Sequence, residues 1–259
     1  MTASLEVIDR GEGPAVVLVH GAGATAATTF AASLPALARG HRVLAVDLPG
    51  EEDGPADGWT LDAVADALAA TVVSRVDGPV LLLGHSLGAS VIARTALRHP
   101  QLAHRVVVVA APWSTDSRLW LTTRLWRRLY TIDRTALAEH LVLSTTSPSW
   151  LATLHRDDAA DLVRLAAELV PGSTGVHLQL AEQTDLAGDL AGLEAEVHVV
   201  LGEEDQLVPT APWAAVEGST VRQVHIWPGG HDVLAQNPHE LVALVARLAT
   251  IPDPSRRSA

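Results

Sequence analysis

Gly84-His85-Ser86-Leu87-Gly88 is the stretch of sequence that decides the fold, because it joins an apolar run, Val80–Leu83, to a segment of helical period. A serine flanked in this way by glycines, between a strand and a helix, is typical of a nucleophile elbow. The glycines let neighbouring chain pass close to a sharp turn, and the helix that follows directs backbone N–H groups toward the serine hydroxyl. The stretch therefore predicts that Ser86 is a covalent nucleophile at the edge of a sheet.

On both sides of this junction, short runs rich in Val and Leu alternate with longer segments of helical period. This alternation is typical of an α/β fold with a mostly parallel central sheet and helices on both faces. We predict strands at 5–9, 15–19, 42–46, 80–83, 105–110, 197–201 and 220–226, and helices at 26–39, 61–76, 87–99, 211–217 and 238–249. Thr60 and Thr210 precede two of these helices and are candidate N-caps.

The alternation stops between residues 112 and 190, where several helix-like segments occur without a convincing strand. We interpret 112–190 as a helical cap inserted into a core formed by residues 1–111 and 191–251. Residues 252–259 are expected to be a flexible C-terminal tail.

Large apolar side chains of this insertion are candidates for a substrate pocket over Ser86. The candidates are Trp113, Trp120, Trp126 and Leu125. A second interpretation stays open, in which these residues only pack the cap onto the sheet.

Composition limits the classes of function. The 259 residues carry a formal net charge of −12, which disfavours nucleic acid and anionic membranes as partners. The absence of cysteine and lysine excludes disulfides, thiolate nucleophiles and lysine Schiff bases. No apolar run reaches the roughly 18–20 residues of a membrane span, and the N-terminus lacks a secretory signal pattern. We therefore expect a cytoplasmic protein without metal or cofactor, and its oligomeric state stays open.

A serine hydroxyl is a weak nucleophile near neutral pH, so it needs a base within hydrogen-bond reach and an acid that orients this base. His231 is the candidate base, because it follows the last predicted strand at the edge where the loops of such a sheet converge. Asp205 is the candidate acid, a few residues after the strand at 197–201. Glu203 and Glu204 in the same loop, and Asp116 after the strand at 105–110, remain alternatives.

The other histidines are assigned structural positions. His20 and His85 lie inside the motif loops and are expected to brace them. The remaining nine are expected at the surface or at strand ends: His41, His99, His104, His140, His155, His177, His198, His225 and His239.

Five motifs, in order along the chain, resemble the α/β-hydrolase superfamily, and the resemblance covers nearly the whole chain apart from the insertion. They are Val17–Gly21, Asp47–Gly50, Gly84–Gly88, Leu201–Asp205 with Val208 and Pro209, and Gly230-His231. The chain order of serine, acid and histidine is also that of the superfamily. The form of the first loop looks closest to the esterase, lactonase and methylesterase-like branch. Two backbone amides, those of Ala22 and Leu87, fit by position as the oxyanion hole.

These observations predict a serine hydrolase that cleaves a carboxylic ester, thioester or lactone of a hydrophobic small molecule through an acyl-enzyme. The same triad could instead cleave a C–C bond, eliminate or cyclise, and a non-catalytic ligand receptor can retain this fold. Five arginines of the insertion form either a solvated helix face or a docking patch for an anionic partner or substrate, such as an acyl carrier protein or a carboxylated molecule. They are Arg118, Arg124, Arg127, Arg128 and Arg134.

Overall fold

Seven strands form one sheet in the computed structural model, which describes residues 5–50, 58–214 and 221–250. The spatial order is β1-β3-β2-β4-β5-β6-β7; β1 pairs antiparallel with β3, and the other neighbours are parallel. The strands are β1 (Val7–Arg10), β2 (Ala15–Val19), β3 (Arg42–Val46), β4 (Val80–His85), β5 (Ala103–Val109), β6 (Glu196–Gly202) and β7 (Val221–Trp227). The predicted fold class, α/β with a mostly parallel central sheet and helices on both faces, is confirmed.

Helices flank the sheet and fill the region between β5 and β6. They are α1 (Ala26–Thr29), α2 (Leu34–Leu37), α3 (Leu61–Val73), α4 (Leu87–Arg98), α5 (Ser117–Ile132), α6 (Arg134–Thr145), α7 (Pro148–Leu151), α8 (Arg156–Leu169), α9 (Thr174–Ala181), α10 (Leu186–Ala191), α11 (Ala211–Ala214), α12 (Val233–Gln236) and α13 (Pro238–Leu248). Thr60 caps α3 as predicted, since its side chain accepts a hydrogen bond from the amide of Ala63 at 3.1 Å.

Two apolar layers cover the two faces of the sheet, and this explains why the central strands read as continuous apolar runs. Val16 and Leu18 of β2 pack in one layer with residues of α1, α2 and α13. Val17 and Val19 pack in the other layer with residues of α3 and α4. Because successive side chains point to opposite faces, a strand buried on both sides cannot include polar positions without cost.

The prediction of one helix over 26–39 is wrong. The structure has two short helices, α1 and α2, with Phe30–Ser33 between them. Pro35 lies in the first turn of α2, where its missing N–H needs no partner. In the middle of a longer helix the same ring would clash with the preceding turn. Three other predictions fall partly or wholly outside the described residues: the end of the helix at 211–217, residue 220 of the last strand, and the tail at 252–259.

Helices α5 to α10 occupy the segment between β5 and β6, and residues 112–190, all of which the structure describes, contain no strand. Part of this segment has an apolar cluster of its own, formed by Trp126, Leu137, Val170 and Leu178. Helix α9, which provides Leu178 to this cluster, and helix α10 also contribute side chains to the layer that contains α4. The division into a core and a cap at residues 112 and 190 therefore stays a prediction. Within the described ranges, no helix has the length and apolar character needed to cross a membrane.

Candidate active site

Ser86 occupies a strained turn between β4 and α4. Its backbone has φ 53° and ψ −117°, a conformation that costs a non-glycine residue about 1–3 kcal/mol. The amide of Ser86 donates a hydrogen bond of 2.8 Å to the carbonyl oxygen of Val109, which fixes the turn to the neighbouring strand. This turn conformation places the serine side chain at the carboxyl edge of the sheet, directly before the first turn of α4.

Gly84 and Gly88 are required by the close approach of other backbone to this turn. A methyl group on Gly84 would overlap the carbonyl oxygen of Gly88, and one on Gly88 would overlap the carbonyl oxygen of Val19. These overlaps involve backbone atoms, which cannot move aside as a flexible side chain can. The prediction that glycines flank the serine for steric reasons is therefore confirmed.

Folding brings Ser86, His231 and Asp205 into one line of hydrogen bonds. The Oγ of Ser86 lies 3.0 Å from Nε2 of His231, and Nδ1 of His231 lies 2.9 Å from Oδ2 of Asp205. A carboxylate only accepts hydrogen bonds, so Nδ1 carries the proton of the neutral imidazole and Nε2 is free to accept from Ser86. This is the tautomer that a general base needs.

The carboxylate of Asp205 is held on both oxygens. Its Oδ1 accepts hydrogen bonds from the amides of Leu207 at 2.8 Å and Val208 at 2.9 Å, while Oδ2 faces His231. Burial of this side chain acts to raise the pKa of Asp205. The charge of His231 and the donated hydrogen bonds outweigh burial, so the pKa lies below its ordinary value. Asp205 is therefore ionised at neutral pH.

His231 shows the opposite balance. Burial acts to lower the pKa of its imidazole, but the charge of Asp205, its hydrogen bond and the charge of Asp232 together raise the pKa above the ordinary value. A base must be neutral to accept a proton, so it is inactive below its pKa.

We therefore expect kcat/KM to fall as the pH decreases through the raised pKa of His231, with a midpoint above the ordinary histidine value of about 6.5. A pH profile of kcat/KM for a small neutral ester measures this midpoint. A midpoint well below 6.5 would contradict the assignment of His231 as the base.

His85 and His20 brace the neighbouring loops, as their places in the motifs predict. Nε2 of His85 donates to the carbonyl oxygen of His231 at 2.9 Å. Nδ1 of His20 donates to the carbonyl oxygen of Gly21 at 2.8 Å, and its Nε2 accepts from the amide of Leu48 at 2.9 Å. Burial lowers the pKa of each of these two histidines to about 4. His20 is therefore neutral and forms no ion pair with Asp47, although the two side chains lie 3.4 Å apart.

His177 is a structural residue that the sequence analysis missed. The sequence predicts it at the surface or at a strand end, but it lies on α9 and is fully buried. Its Nδ1 accepts from the amide of Gly23 at 3.3 Å, and its Nε2 faces the carbonyl oxygen of Leu48 at 3.5 Å. Burial, with repulsion from His20, lowers the pKa of His177 to about 3. A neutral histidine of the insertion thus holds the loop that contains Ala22.

The amides of Ala22 and Leu87 are available as hydrogen-bond donors. Neither donates to another residue in the described part of the chain. Leu87 begins α4, where a helical amide has no partner within its own helix. Both residues line a cavity that also contains Ser86 and His231, so their amides remain the candidates for an oxyanion hole.

The alternative acids lie elsewhere. Glu203 is exposed, and the carboxylate of Glu204 accepts hydrogen bonds from the side chain of Ser147 and from Ser149 of the insertion. Asp116 caps α5 by accepting from the amide of Leu119 at 2.8 Å. Only Asp205 among the four candidates contacts His231.

Two cavities meet at Ser86, and Ala22, Trp126 and His231 line both of them. The first, which we call the large lobe, has a volume of about 270 Å³ and is bounded by the Gly21–Ala24 loop and by α6, α8 and α12. The second, which we call the small lobe, has a volume of about 50 Å³ and is bounded by α4, α5, α9 and the loop that contains Leu207 and Val208. The site is therefore two-sided and asymmetric.

Trp126 is the one predicted pocket residue that the structure places at these lobes. Trp113 instead packs edge-on against Trp213, with ring centroids 5.0 Å apart. Trp120 and Leu125 are 45% and 42% exposed on the outer side of α5, whereas Trp126 is 7% exposed. Trp113 does not line either lobe because it packs onto the main core. Trp120 and Leu125 do not line either lobe because they lie on the side of α5 that faces away from Ser86.

The five arginines of the insertion are only partly free. Arg127 pairs with Glu182 at 2.8 Å, Arg124 lies over the ring of Trp120, and Arg134 lies over the ring of Tyr130. Arg118 and Arg128 are exposed. No group of three or more His, Asp or Glu side chains in the described ranges is arranged to hold a metal ion.

Several known proteins resemble this chain in sequence or in fold. The model of the alpha/beta hydrolase family matches residues 16–244. A pyrrolizixenacetamide deacetylase of Xenorhabdus hominickii is 28% identical, over 91% of this chain and 90% of that protein. A pimeloyl-acyl-carrier protein methyl ester esterase of Aromatoleum aromaticum is 27% identical, over 90% of this chain and 96% of that protein. A thermophilic esterase from Thermogutta terrifontis has a similar fold, with a TM-score of 0.77 at 22% identity, over 94% of this chain and 92% of that chain.

Proposed function

The chain belongs to the alpha/beta hydrolase family, and we propose that it cleaves a carboxylic ester, thioester or lactone of a hydrophobic small molecule through an acyl-enzyme. Two of its relatives have names of enzymes that remove an acyl or an ester group, a deacetylase and a methyl ester esterase. Ser86, His231 and Asp205 are the proposed catalytic residues.

In the proposed reaction, Oγ of Ser86 attacks the carbonyl carbon while Nε2 of His231 takes the hydroxyl proton. Asp205 holds the imidazole in the required tautomer and stabilises its charged form. The oxygen of the tetrahedral intermediate accepts hydrogen bonds from the amides of Ala22 and Leu87, each worth about 3 kcal/mol in measured cases. His231 then protonates the leaving alcohol or thiol. A water molecule, deprotonated by the same histidine, attacks the acyl-enzyme and releases the acid.

One observation carries this proposal: the two hydrogen-bond distances of 3.0 and 2.9 Å that connect Ser86 to Asp205 through His231. The stability of the fold does not require this combination of features: a serine in a strained turn, a base in the correct tautomer and two unpaired amides at one cavity. Such an arrangement is the one that nucleophilic acyl transfer needs.

The test is a panel of p-nitrophenyl esters, acyl thioesters, lactones and anilides of graded size, assayed for initial rates. We expect hydrolysis of at least one ester class with a burst of the first product when the acyl-enzyme accumulates. The anilides are included because one relative is named a deacetylase of an amide. If no acyl compound turns over while small hydrophobic ligands bind, the chain is a receptor on this fold. If no acyl compound turns over but a substrate undergoes C–C cleavage, elimination or cyclisation, the triad serves that chemistry instead.

A second candidate for the substrate is an acyl group that an acyl carrier protein delivers to Ser86. Two observations favour it: relatives of this chain are named pimeloyl-acyl-carrier protein methyl ester esterases, and Arg118 and Arg128 are exposed in a protein with a net charge of −12. Carrier docking predicts a steep loss of activity with salt for the carrier-linked substrate and little loss for a small neutral ester. The cytoplasmic location and the independence from metals and cofactors stay predictions.

A further inference from the structure

The asymmetry of the cavity at Ser86 points to the orientation of the substrate. We propose that the small lobe holds the acyl group and restricts it to about two to four carbons, that the large lobe holds the leaving alcohol, and that Trp126 is the wall between them. This inference rests on the proposed function, because it assumes that Ser86 forms an acyl-enzyme. It adds the substrate class: short-chain acyl esters of bulky hydrophobic alcohols.

The size of the small lobe sets the limit on the acyl group. A water-sized group needs about 10–15 Å³ of such volume, so the small lobe, with about 50 Å³, accommodates roughly three to five non-hydrogen atoms. The large lobe has about five times that volume, about 270 Å³. A long chain fits only in the large lobe.

The surface of the small lobe is mainly apolar. Apart from Ser86, its hydroxyl-bearing residues are Ser90, Thr122, Thr123 and Thr184. The three threonines donate to backbone carbonyl oxygens of their own helical turns, at 2.9, 3.0 and 3.0 Å, whereas the buried hydroxyl of Ser90 has no partner in the described part of the chain. Leu178 and Ala181 of α9 close the far side of the lobe. An unsubstituted acetyl, propionyl or butyryl group therefore meets mainly methyl and methylene groups, and burying it is favourable.

The order of events in the reaction assigns the acyl group to the small lobe. After the first step the acyl group remains bonded to Oγ of Ser86, while the alcohol, protonated by His231, has to diffuse away. Water must then reach the same carbonyl carbon. The large lobe, with about 270 Å³, provides room for both movements, whereas the small lobe, with about 50 Å³, is too small for a bulky alcohol. Leu87 also lines the small lobe and not the large lobe, so its amide lies on the side that we assign to the acyl group.

Trp126 is held firmly enough to act as a wall. Its ring is 7% exposed and packs with Leu137, Val170 and Leu178, which come from three different parts of the insertion. The ring of His140 lies edge-on to it, with centroids 6.3 Å apart. A side chain packed on several sides cannot rotate away to admit a longer acyl group without disturbing these neighbours.

Two isomeric esters test the orientation, because they have the same atoms on opposite sides of the ester bond. Octyl acetate places the long chain on the alcohol, and methyl nonanoate places it on the acyl group. We expect wild type to hydrolyse octyl acetate with a kcat/KM roughly tenfold or more above that of methyl nonanoate. Trp126→Ala joins the two lobes and is expected to reduce this ratio to near one by increasing the rate with methyl nonanoate.

Two further variants test whether the effect of Trp126→Ala comes from joining the two lobes. Trp120→Ala changes an exposed tryptophan of the same helix, outside both lobes, and is expected to keep the wild-type ratio. Ala181→Val narrows the small lobe and is expected to lower the rate with octyl butyrate more than with octyl acetate. This second variant tests the lobe even if Trp126→Ala fails to fold, which thermal unfolding would reveal.

The outcomes distinguish this inference from the proposed function. Turnover of both isomers with a preference for methyl nonanoate would overturn the orientation and leave the serine hydrolase intact. An equal ratio in wild type and Trp126→Ala, with both variants folded, would overturn the role of Trp126. No turnover of either isomer, together with no reaction of Ser86 with a fluorophosphonate, would overturn the proposed function itself.

Discussion

Replacing Ser86 with Ala is expected to lower kcat for the best ester of the panel by roughly 10⁴–10⁶-fold, because removal of a catalytic nucleophile has effects of this size in triad enzymes. His231, Asp205 and the amides of Ala22 and Leu87 would remain in place, and yet none of them can form an acyl-enzyme. Alanine also relieves no steric overlap at φ 53°, so the backbone strain persists and stability should change little. The measurements are initial rates and labelling of the intact protein by a fluorophosphonate.

Ser74→Ala provides the control for this variant. Ser74 is exposed at the end of α3, where its hydroxyl donates to the carbonyl oxygen of Thr71 at 2.8 Å, and it lies in neither lobe. Ser74→Ala should retain both turnover and labelling. Labelling of Ser86→Ala at the wild-type level would show that another residue is the nucleophile. Absence of labelling in the wild type would favour a receptor.

The strands and the motif residues were predictable because local sequence determines them. A strand buried on both faces is apolar along its buried length, so the predicted strands Ala15–Val19 and Arg42–Val46 coincide with β2 and β3. Only Arg42, at the half-buried start of β3, is charged. The elbow was predictable because steric overlap dictates glycine on both sides of Ser86. Each of these signals lies within a few residues, and no knowledge of distant contacts is needed to interpret it.

The substrate pocket was not predictable in the same way. Helix α5 has large apolar side chains on both its inner and its outer side, at Trp126 and at Trp120, Leu121 and Leu125. Helical periodicity identifies the helix, but it cannot select the side that faces Ser86 when apolar residues surround the axis. That choice depends on how α5 packs against α6 and α9, which is a property of the whole insertion.

His177 shows the same limit for a polar residue. No pattern in its neighbourhood distinguishes it from a surface histidine, because its partners, Gly23 and Leu48, lie more than a hundred residues away in sequence. A buried histidine forms hydrogen bonds with the backbone groups that pack against it, and the fold of the whole chain determines which groups these are. Its contact with the amide of Gly23 shows how a residue between β5 and β6 supports a loop of the candidate active site.

Asp205→Asn is expected to lower kcat by about 10⁴-fold, the effect measured when the acid of a serine protease triad is replaced in this way. The amides of Leu207 and Val208 would hold the oxygen of the new side chain, so its NH₂ group would face Nδ1 of His231. The imidazole would then carry its proton on Nε2, where it cannot accept one from Ser86. Without the nearby negative charge, the pKa of His231 should also decrease, and the acidic limb of the kcat/KM profile should move to lower pH.

Glu204→Gln is the matched control, because it removes a carboxylate from the adjacent position of the same loop. Its partners are the hydroxyl group of Ser147 and the amide and hydroxyl groups of Ser149, and the oxygen of glutamine can accept from them as well. We expect kcat and the pH profile of this variant to stay close to wild type, since Glu204 does not contact His231. Large and equal losses of kcat in both variants would mean that the loop tolerates no change of charge. The acid would then be the residue whose substitution moves the acidic limb of the pH profile. A small loss of kcat in Asp205→Asn, with an unchanged acidic limb of the kcat/KM profile, would exclude Asp205 as the acid. If the charge of Asp205 raises the pKa of His231, its removal has to move that limb.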